Sequence, residues 1–333
     1  MIRFKRPLFV ILILLFVLCG LTFIASNAGP INFSFSTLWQ ASATDPDWQI
    51  WLNIRLPRVL IAILVGLALA VSGAIMQGLF RNPLADPSLL GISSGAALAV
   101  AAFIVLSFSL PAVMQNYGHI AAAFIGSLIV SLIIFSLNRS SSGNLARLLL
   151  AGIAINALCM SFIGVLSYIS NDQQLRTFSL WMMGTLGNVD WTSLAIAATV
   201  ILPVTLVCLW QGNKLNILQL GDEDAHYLGL NVERAKFVLL FLSALLVGCA
   251  VAMSGVIGFV GLVVPHLIRM TLGPDHRWLI PGSAIVGAAL LLIADTIART
   301  AVAPAEIPVG LLTGLIGGPY FLWLILRQPA GRI

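Results

Sequence analysis

Ten long apolar runs decide what this chain can fold into. They lie near residues 8–26, 57–79, 88–108, 119–137, 147–169, 192–210, 236–253, 257–272, 280–298 and 309–326. About 20 apolar residues at 1.5 Å each match the ~30 Å hydrocarbon core of a bilayer, so such runs read as membrane-spanning helices. The composition agrees: 59% of the 333 residues are hydrophobic and only 9% are charged. A soluble domain needs roughly 25% charged residues to cover its surface. Lipid is therefore the solvent for most of this surface. The stretch 236–272 is too long for one crossing, and Gly255, Gly258 and Gly261 divide it into two. The expectation is an all-α polytopic membrane protein of about ten transmembrane helices, forming a single transmembrane domain over 1–333.

With ten crossings both termini share one side. That side carries 13 of the 17 Lys and Arg residues, and the other carries Arg55, Arg58, Arg176 and Arg299. Basic residues collect on the cytoplasmic side, so both termini are expected there. The net charge of +5 follows from this bias and calls for no nucleic-acid partner. Arg3, Lys5 and Arg6 precede the first apolar run, as in a signal peptide. The run is long for that role and no small-residue cleavage site follows, so it reads as an uncleaved span. Cys19, Cys159, Cys208 and Cys249 stand apart from one another, which indicates neither a metal site nor a disulfide framework.

No G-x-x-x-x-G-K-[ST] occurs. A chain without this phosphate cradle needs a separate ATPase if ATP drives it. Ion-coupled carriers bury acids at mid-membrane, and the one carboxylate within an apolar run is Asp295, four residues before Arg299. That i,i+4 pairing accounts for it without a coupling ion. Gly91-Ile92-Ser93-Ser94-Gly95 matches the G-x-S-x-G nucleophile elbow. It opens an apolar helix after a Pro-rich loop, where small residues serve helix packing better than catalysis.

The polar connections carry more information. "NIRLPRVL" puts Arg55 and Arg58 at the outer start of the second span, against both the positive-inside bias and the helix dipole. Lipid phosphate or an acidic partner outside would justify that placement, and Arg299 belongs to the same surface. "FRNPLADPSLLGISSGA" makes a stiff cytoplasmic reversal, with Asn82 and Asp86 placed to cap. "WMMGTLGNVDW" places Trp181 and Trp191 at the outer interface. The fifth and last spans are rich in small residues, including Gly152, Gly164, Gly310, Gly314, Gly317 and Gly318.

One short stretch breaks the apolar pattern. "GDEDAHYLGLNVERAK" crowds Asp222, Glu223, Asp224, Glu233, Arg234 and Lys236 into 221–236. Three acids suit the first turn of a helix and Gly229 suits its stop. Acids are unfavourable beside an anionic inner leaflet, so a docking element for a cytoplasmic protein fits best.

Five stretches in order give a resemblance. They are "RLPRVLIAILVGLALAVSGAIMQGLFRNPLADPSLLGISSGA", "WMMGTLGNVDW", "LGDEDAHYLGL", "GVIGFVGLVVPHLIRMTLGPDHRWLIP" and "EIPVGLLTGLIGGPYFLWLIL". Together they cover about 50–327, and the chain resembles a permease subunit of the FecCD/BtuC-type ABC importers of iron–siderophores, haem and cobalamin. The resemblance implies a type II ABC importer permease fold, a second permease subunit and a cytoplasmic ATPase dimer that holds ATP and Mg. It also implies an extracytoplasmic substrate-binding lipoprotein and a place in the bacterial cytoplasmic membrane.

Carried over by residue, Asp222, Glu223, Asp224, Ala225, Leu228 and Gly229 match ATPase-coupling positions, within coupling helices at about 212–232. Arg55, Arg58 and Arg299 match positions that receive the binding protein. Asn82 and Leu84 match the cytoplasmic gate, and the fifth and last spans line the path. No catalytic residue, metal or cofactor of its own is expected. Iron–siderophore is the expected cargo because it is the commonest in the family, with haem and cobalamin as alternatives. An ion-driven carrier using Asp295, or a hydrolase using Ser93 or Ser94, are the competing classes.

Overall fold

The computed structural model describes residues 7–29, 45–106, 111–139, 145–187, 189–303 and 305–327. Arg3, Lys5, Arg6 and Arg332, counted in the charge tally, lie outside the described residues. No strand occurs among those described. The helices are α1 (Pro7–Asn27), α2 (Leu56–Leu79), α3 (Ile92–Val105), α4 (Ala112–Arg139), α5 (Leu145–Ile169), α6 (Asp172–Met182), α7 (Trp191–Trp210), α8 (Gly212–Leu218), α9 (Asp222–Tyr227), α10 (Val232–Ser254), α11 (Val260–Leu272), α12 (His276–Thr300) and α13 (Val309–Arg327).

Each of the ten expected segments coincides with one of these helices. Seven helices are long and apolar enough to cross a membrane by length and composition. Ile92–Val105, Val260–Leu272 and Val309–Trp323 are apolar but shorter. The difference has a physical cause at α11. Its apolar run begins with non-helical backbone, because Gly255 at φ 69° and Phe259 at φ 68° end one helix and start the next. Non-helical backbone at membrane depth survives only when protein covers it. Here Thr185 N donates to Ser254 O at 2.8 Å, and Gly310 N donates to Gly184 O at 3.2 Å.

Helix α2 sits at the centre. Only Leu56, Leu60, Ile63 and Leu67 along its length are not fully buried, a single stripe at helical spacing. Its most extensive partner is α12, followed by α10, α11 and α7. Helices α3, α4 and α5 pack beside this group, α1 lies on α12, and α13 lies on α12 and α11. A π-helical turn, Trp51–Arg55, leads into α2 and aims Arg55 into the bundle, where it is 5% exposed.

Lipid-exposed helices gain nothing by burying apolar surface against one another, so close backbone contact and hydrogen bonds must hold them. Gly66 of α2 faces Gly287 of α12, and a Cβ on either would strike the other's carbonyl. A Cβ on Gly73 would likewise strike the Gly261 carbonyl of α11. Buried side chains add interhelical bonds: the Ser72 and Ser243 hydroxyls lie 2.6 Å apart, and Gln77 Nε2 donates to Leu262 O at 3.0 Å.

Overpacking such a contact costs about 1–3 kcal/mol or more. Gly287→Leu should therefore lower the melting temperature and the monodisperse yield in detergent. Gly164→Ala should change neither, because a Cβ at Gly164 meets nothing within 4 Å. Equal behaviour of the two variants in a thermal unfolding assay would contradict this packing.

Candidate functional site

Two charged clusters lie at opposite ends of α2. The first is built around α9. Asp222, Glu223 and Asp224 fill its first turn and favour the positive end of the helix dipole. Its C-terminus closes as a Schellman motif: Leu230 N donates to Ala225 O at 3.0 Å and Gly229 N donates to His226 O at 2.9 Å. Gly229 sits at φ 85°, a conformation costly for residues with a Cβ.

The six coupling positions divide by what they touch. Asp222 is a brace. Its Oδ1 accepts from Arg81 Nη2 and its Oδ2 from Lys236 Nζ, each at 2.5 Å. Partial burial opposes ionisation of Asp222, but the Lys236 and Arg81 bonds and charges outweigh it and hold the carboxyl below its usual range. Ala225 is wholly buried and packs inward, which corrects its expected place on a docking surface. Glu223, Asp224, Leu228 and Gly229 are exposed. Tyr227, 86% exposed, joins Leu228 as an apolar patch beside the two free acids.

Sequence reading missed the residues that mount α9. Arg81, at φ 50° just past α2, donates through Nε to Leu218 O at 2.8 Å. Gln219 Nε2 donates to Gly78 O at 2.6 Å. Asn216 of α8 donates to Asp275 Oδ1 at 2.7 Å and accepts from His276 N at 2.9 Å. Asp275 caps α12 and is held down to about 2, chiefly by its hydrogen bonds with Arg277. Thus α8 and α9 are tied to the end of α2 and to the beginnings of α10 and α12. A lone polar residue at the end of each apolar run was the only sequence signal for this.

The adjoining connection is stiff. Asn82 Oδ1 accepts from Leu84 N at 2.9 Å, and Asp86 Oδ1 accepts from Ser88 N at 2.8 Å. The 3₁₀ turn Pro87–Leu90 then leads through Gly91, at φ 75°, into α3. Asn82 is exposed and Leu84 half-buried, next to the brace. Ser94 Oγ donates to Asn156 Oδ1 of α5, and Gly95 packs against Gly126. The G-x-S-x-G segment is thus a packing element.

The second cluster is the arginine end. Arg58 is 8% exposed, and its guanidinium grips Asp295 through Nε at 3.1 Å and Nη2 at 2.9 Å. Its Nη1 reaches Glu306 Oε2 at 2.9 Å. Arg299 Nε lies 3.6 Å from Asp295 Oδ2, and its Nη2 donates to Ala25 O. Arg55 Nη1 donates to Asn27 O at 2.9 Å. The i,i+4 pair inferred for Asp295 is therefore its longer contact, and Arg58 is its main partner. Three arginines and two acids staple α1, α2, α12 and the start of α13 together. Among the described residues no cluster of three or more His, Cys, Asp or Glu is placed to hold a metal.

The faces of α5 and α13 remain largely uncovered. Leu150, Leu158, Phe162 and Tyr168 of α5 are 59–91% exposed, as are Leu315, Leu322 and Leu326 of α13 at 64–86%. Gly164 and Gly314 have no neighbour where a side chain would stand.

Removing the Asp222 carboxylate takes a 2.5 Å ion pair from Lys236, whose side chain is 4% exposed, and a second from Arg81. Exposed pairs are worth up to about 1 kcal/mol and fully buried ones several. Asp222 lies between these cases, so Asp222→Ala should destabilise by roughly 1–3 kcal/mol. Glu223→Ala and Asp224→Ala should stay within about 0.5 kcal/mol. Detergent unfolding curves check this, and three equal effects would refute the brace.

The comparisons with known proteins agree with this geometry. The FecCD transport family profile matches residues 11–327. A relative, the hemin transport system permease protein HmuU of Yersinia pestis, is 65% identical over 327 residues, covering 98% of each chain. The vitamin B12 import system permease protein BtuC of Vibrio vulnificus is 38% identical, covering 98% of this chain and 95% of its own. A solved structure, presented as an inward-facing conformation of a metal-chelate type ABC transporter, superposes with a TM-score of 0.87. It is 33% identical and covers 96% of this chain and 99% of that one. The chain belongs to the FecCD transport family, as an ABC importer permease.

Proposed function

We propose that this chain forms one half of the membrane path of a bacterial haem importer, driven by ATP hydrolysed on a separate cytoplasmic subunit. The cargo reading rests on one observation, the 65% identity over nearly the full length to a haem permease, against 38% to a cobalamin permease. Iron–siderophore, expected from its commonness in the family, is not specifically supported by these two relatives. An ion-driven carrier and a hydrolase are set aside by family membership. Asp295 is moreover neutralised by Arg58 and Arg299.

The mechanism is alternating access. A cytoplasmic ATPase dimer docks on the exposed face of α9 through Tyr227, Leu228, Glu223 and Asp224. Because Asp222, Gln219 and Asn216 tie α8 and α9 to α2, α10 and α12, ATPase closure moves the central helices rather than flexing a loop. Asn82 and Leu84, on the stiff connection beside the brace, close the inner end. Two permease subunits face each other across α5 and α13, whose uncovered apolar surfaces suit a large, flat, mostly apolar chelate. An extracytoplasmic binding protein delivers the cargo at the arginine end. Both termini and α9 face the cytoplasm of a bacterial inner membrane.

The docking role of Arg58 now has a constraint. It already holds two acids, so Arg58→Glu would disrupt the fold and confound a docking assay. Arg55, 5% exposed and donating to the Asn27 carbonyl, belongs to the same staple.

Cells whose only source of iron is haem test the cargo. Deleting this gene should abolish growth on haem and spare growth on iron–siderophore or on cobalamin as cofactor source. Loss of growth on cobalamin alone would reassign the cargo. Leu228→Asp should cut ATP-driven uptake at least tenfold without lowering the amount of folded permease, and full uptake by that variant would remove α9 from the drive path.

A further inference from the structure

A groove at the α9 end is left unexplained by transport. It has a volume of about 330 Å³ and runs between α8 and the start of α10, lined by Lys214, Leu230, Asn231, Arg234, Ala235 and Val238. Its floor is apolar and its rim carries two cations. All twelve Asp and Glu side chains lie among the described residues, and neither Lys214 nor Arg234 is paired with any of them. Neighbouring Arg81, Lys236 and Arg277, by contrast, each hold an acid.

The groove lies at the boundary of the apolar bundle. Trp210, 79% exposed, ends α7 four residues before Lys214, and Phe237, 50% exposed, lies one turn past Arg234 on α10. An exposed Trp at a helix end marks the headgroup level of a bilayer. A slot there with apolar walls and a doubly positive rim complements one class of molecule, with an acyl chain below and a negative headgroup above. We infer that this groove binds an anionic phospholipid of the adjacent leaflet, with Lys214 and Arg234 on its headgroup and Leu230 and Val238 on its chain. The bound lipid would press on α8 and α10, two elements of the α9 mount. The inference rests on the membrane reading alone and is independent of the cargo.

The test is lipid retention by the full-length permease. The protein is incorporated into phosphatidylcholine nanodiscs doped with phosphatidylglycerol, re-extracted into mild detergent, and analysed by native mass spectrometry. Phosphatidylglycerol should be retained over phosphatidylcholine. Each basic residue near a membrane surface is worth about fivefold in binding anionic lipid, so Lys214→Ala/Arg234→Ala should weaken retention roughly thirtyfold. Lys214→Arg should retain it, and melting temperatures should match the parent. Equal retention of the two lipids would overturn the inference, as would phosphatidylglycerol binding unchanged in the double variant. Unchanged lipid binding with lost, salt-sensitive capture of the partner ATPase would also overturn it, and would give the groove to that protein.

Discussion

The close approach of α2 to α12 and α11 is the contact on which the rest depends. Glycine meets glycine at 66 with 287 and at 73 with 261, so the backbones touch where lipid supplies no hydrophobic drive for helices to associate. Once α2 is fixed at the centre, both charged clusters follow from its ends. Arg55 and Arg58 open it, and Arg81 closes it. One rigid helix therefore connects the proposed delivery surface to the proposed drive surface.

The two ends are built differently. At the arginine end Arg55, Arg58, Arg299 and Asp295 are buried, and Arg58 spans Asp295 and Glu306 from a position 8% exposed. A buried ion network of this kind fixes geometry more than it adds stability. At the α9 end only Asp222 is committed inward, while the other acids, Tyr227 and Leu228 face out. Half of a short helix is an anchor and half is a contact surface. That division suits an element that must transmit force without detaching.

Much of this was legible in the sequence. Every expected span coincides with a helix, because an apolar run in lipid must satisfy its backbone hydrogen bonds within itself. The break at Gly255–Gly261 was legible because glycine readily takes the positive φ seen at Gly255, whereas the same conformation at Phe259 was not legible. The first turn of α9 and its stop at Gly229 were legible from the dipole and from the left-handed cap. The tertiary partners were not. Asp295 looked paired to Arg299 because i,i+4 spacing is visible in a sequence, whereas Arg58 lies 237 positions away. Ala225 was expected among the coupling positions, but helix phase turned it inward. The partners of Lys236, Gln219 and Asn216 were not visible locally, since each derives its role from a group brought near by the bundle. The cargo was not legible either. An apolar lining without strong charges carries little chemical identity, so the proposed cargo rests on a near full-length relative.

The central claim is that α9 and the end of α2 move as one body when ATP is bound. Pulsed electron–electron spin resonance tests it in the assembled transporter, with labels at Tyr227 and Asn82 in one chain and, separately, at Tyr227 in both permease subunits. The account predicts that the Tyr227–Asn82 distance stays fixed between nucleotide-free and ATP-trapped states while the distance between subunits changes. A changed distance within the chain, with α2 left in place, would contradict it.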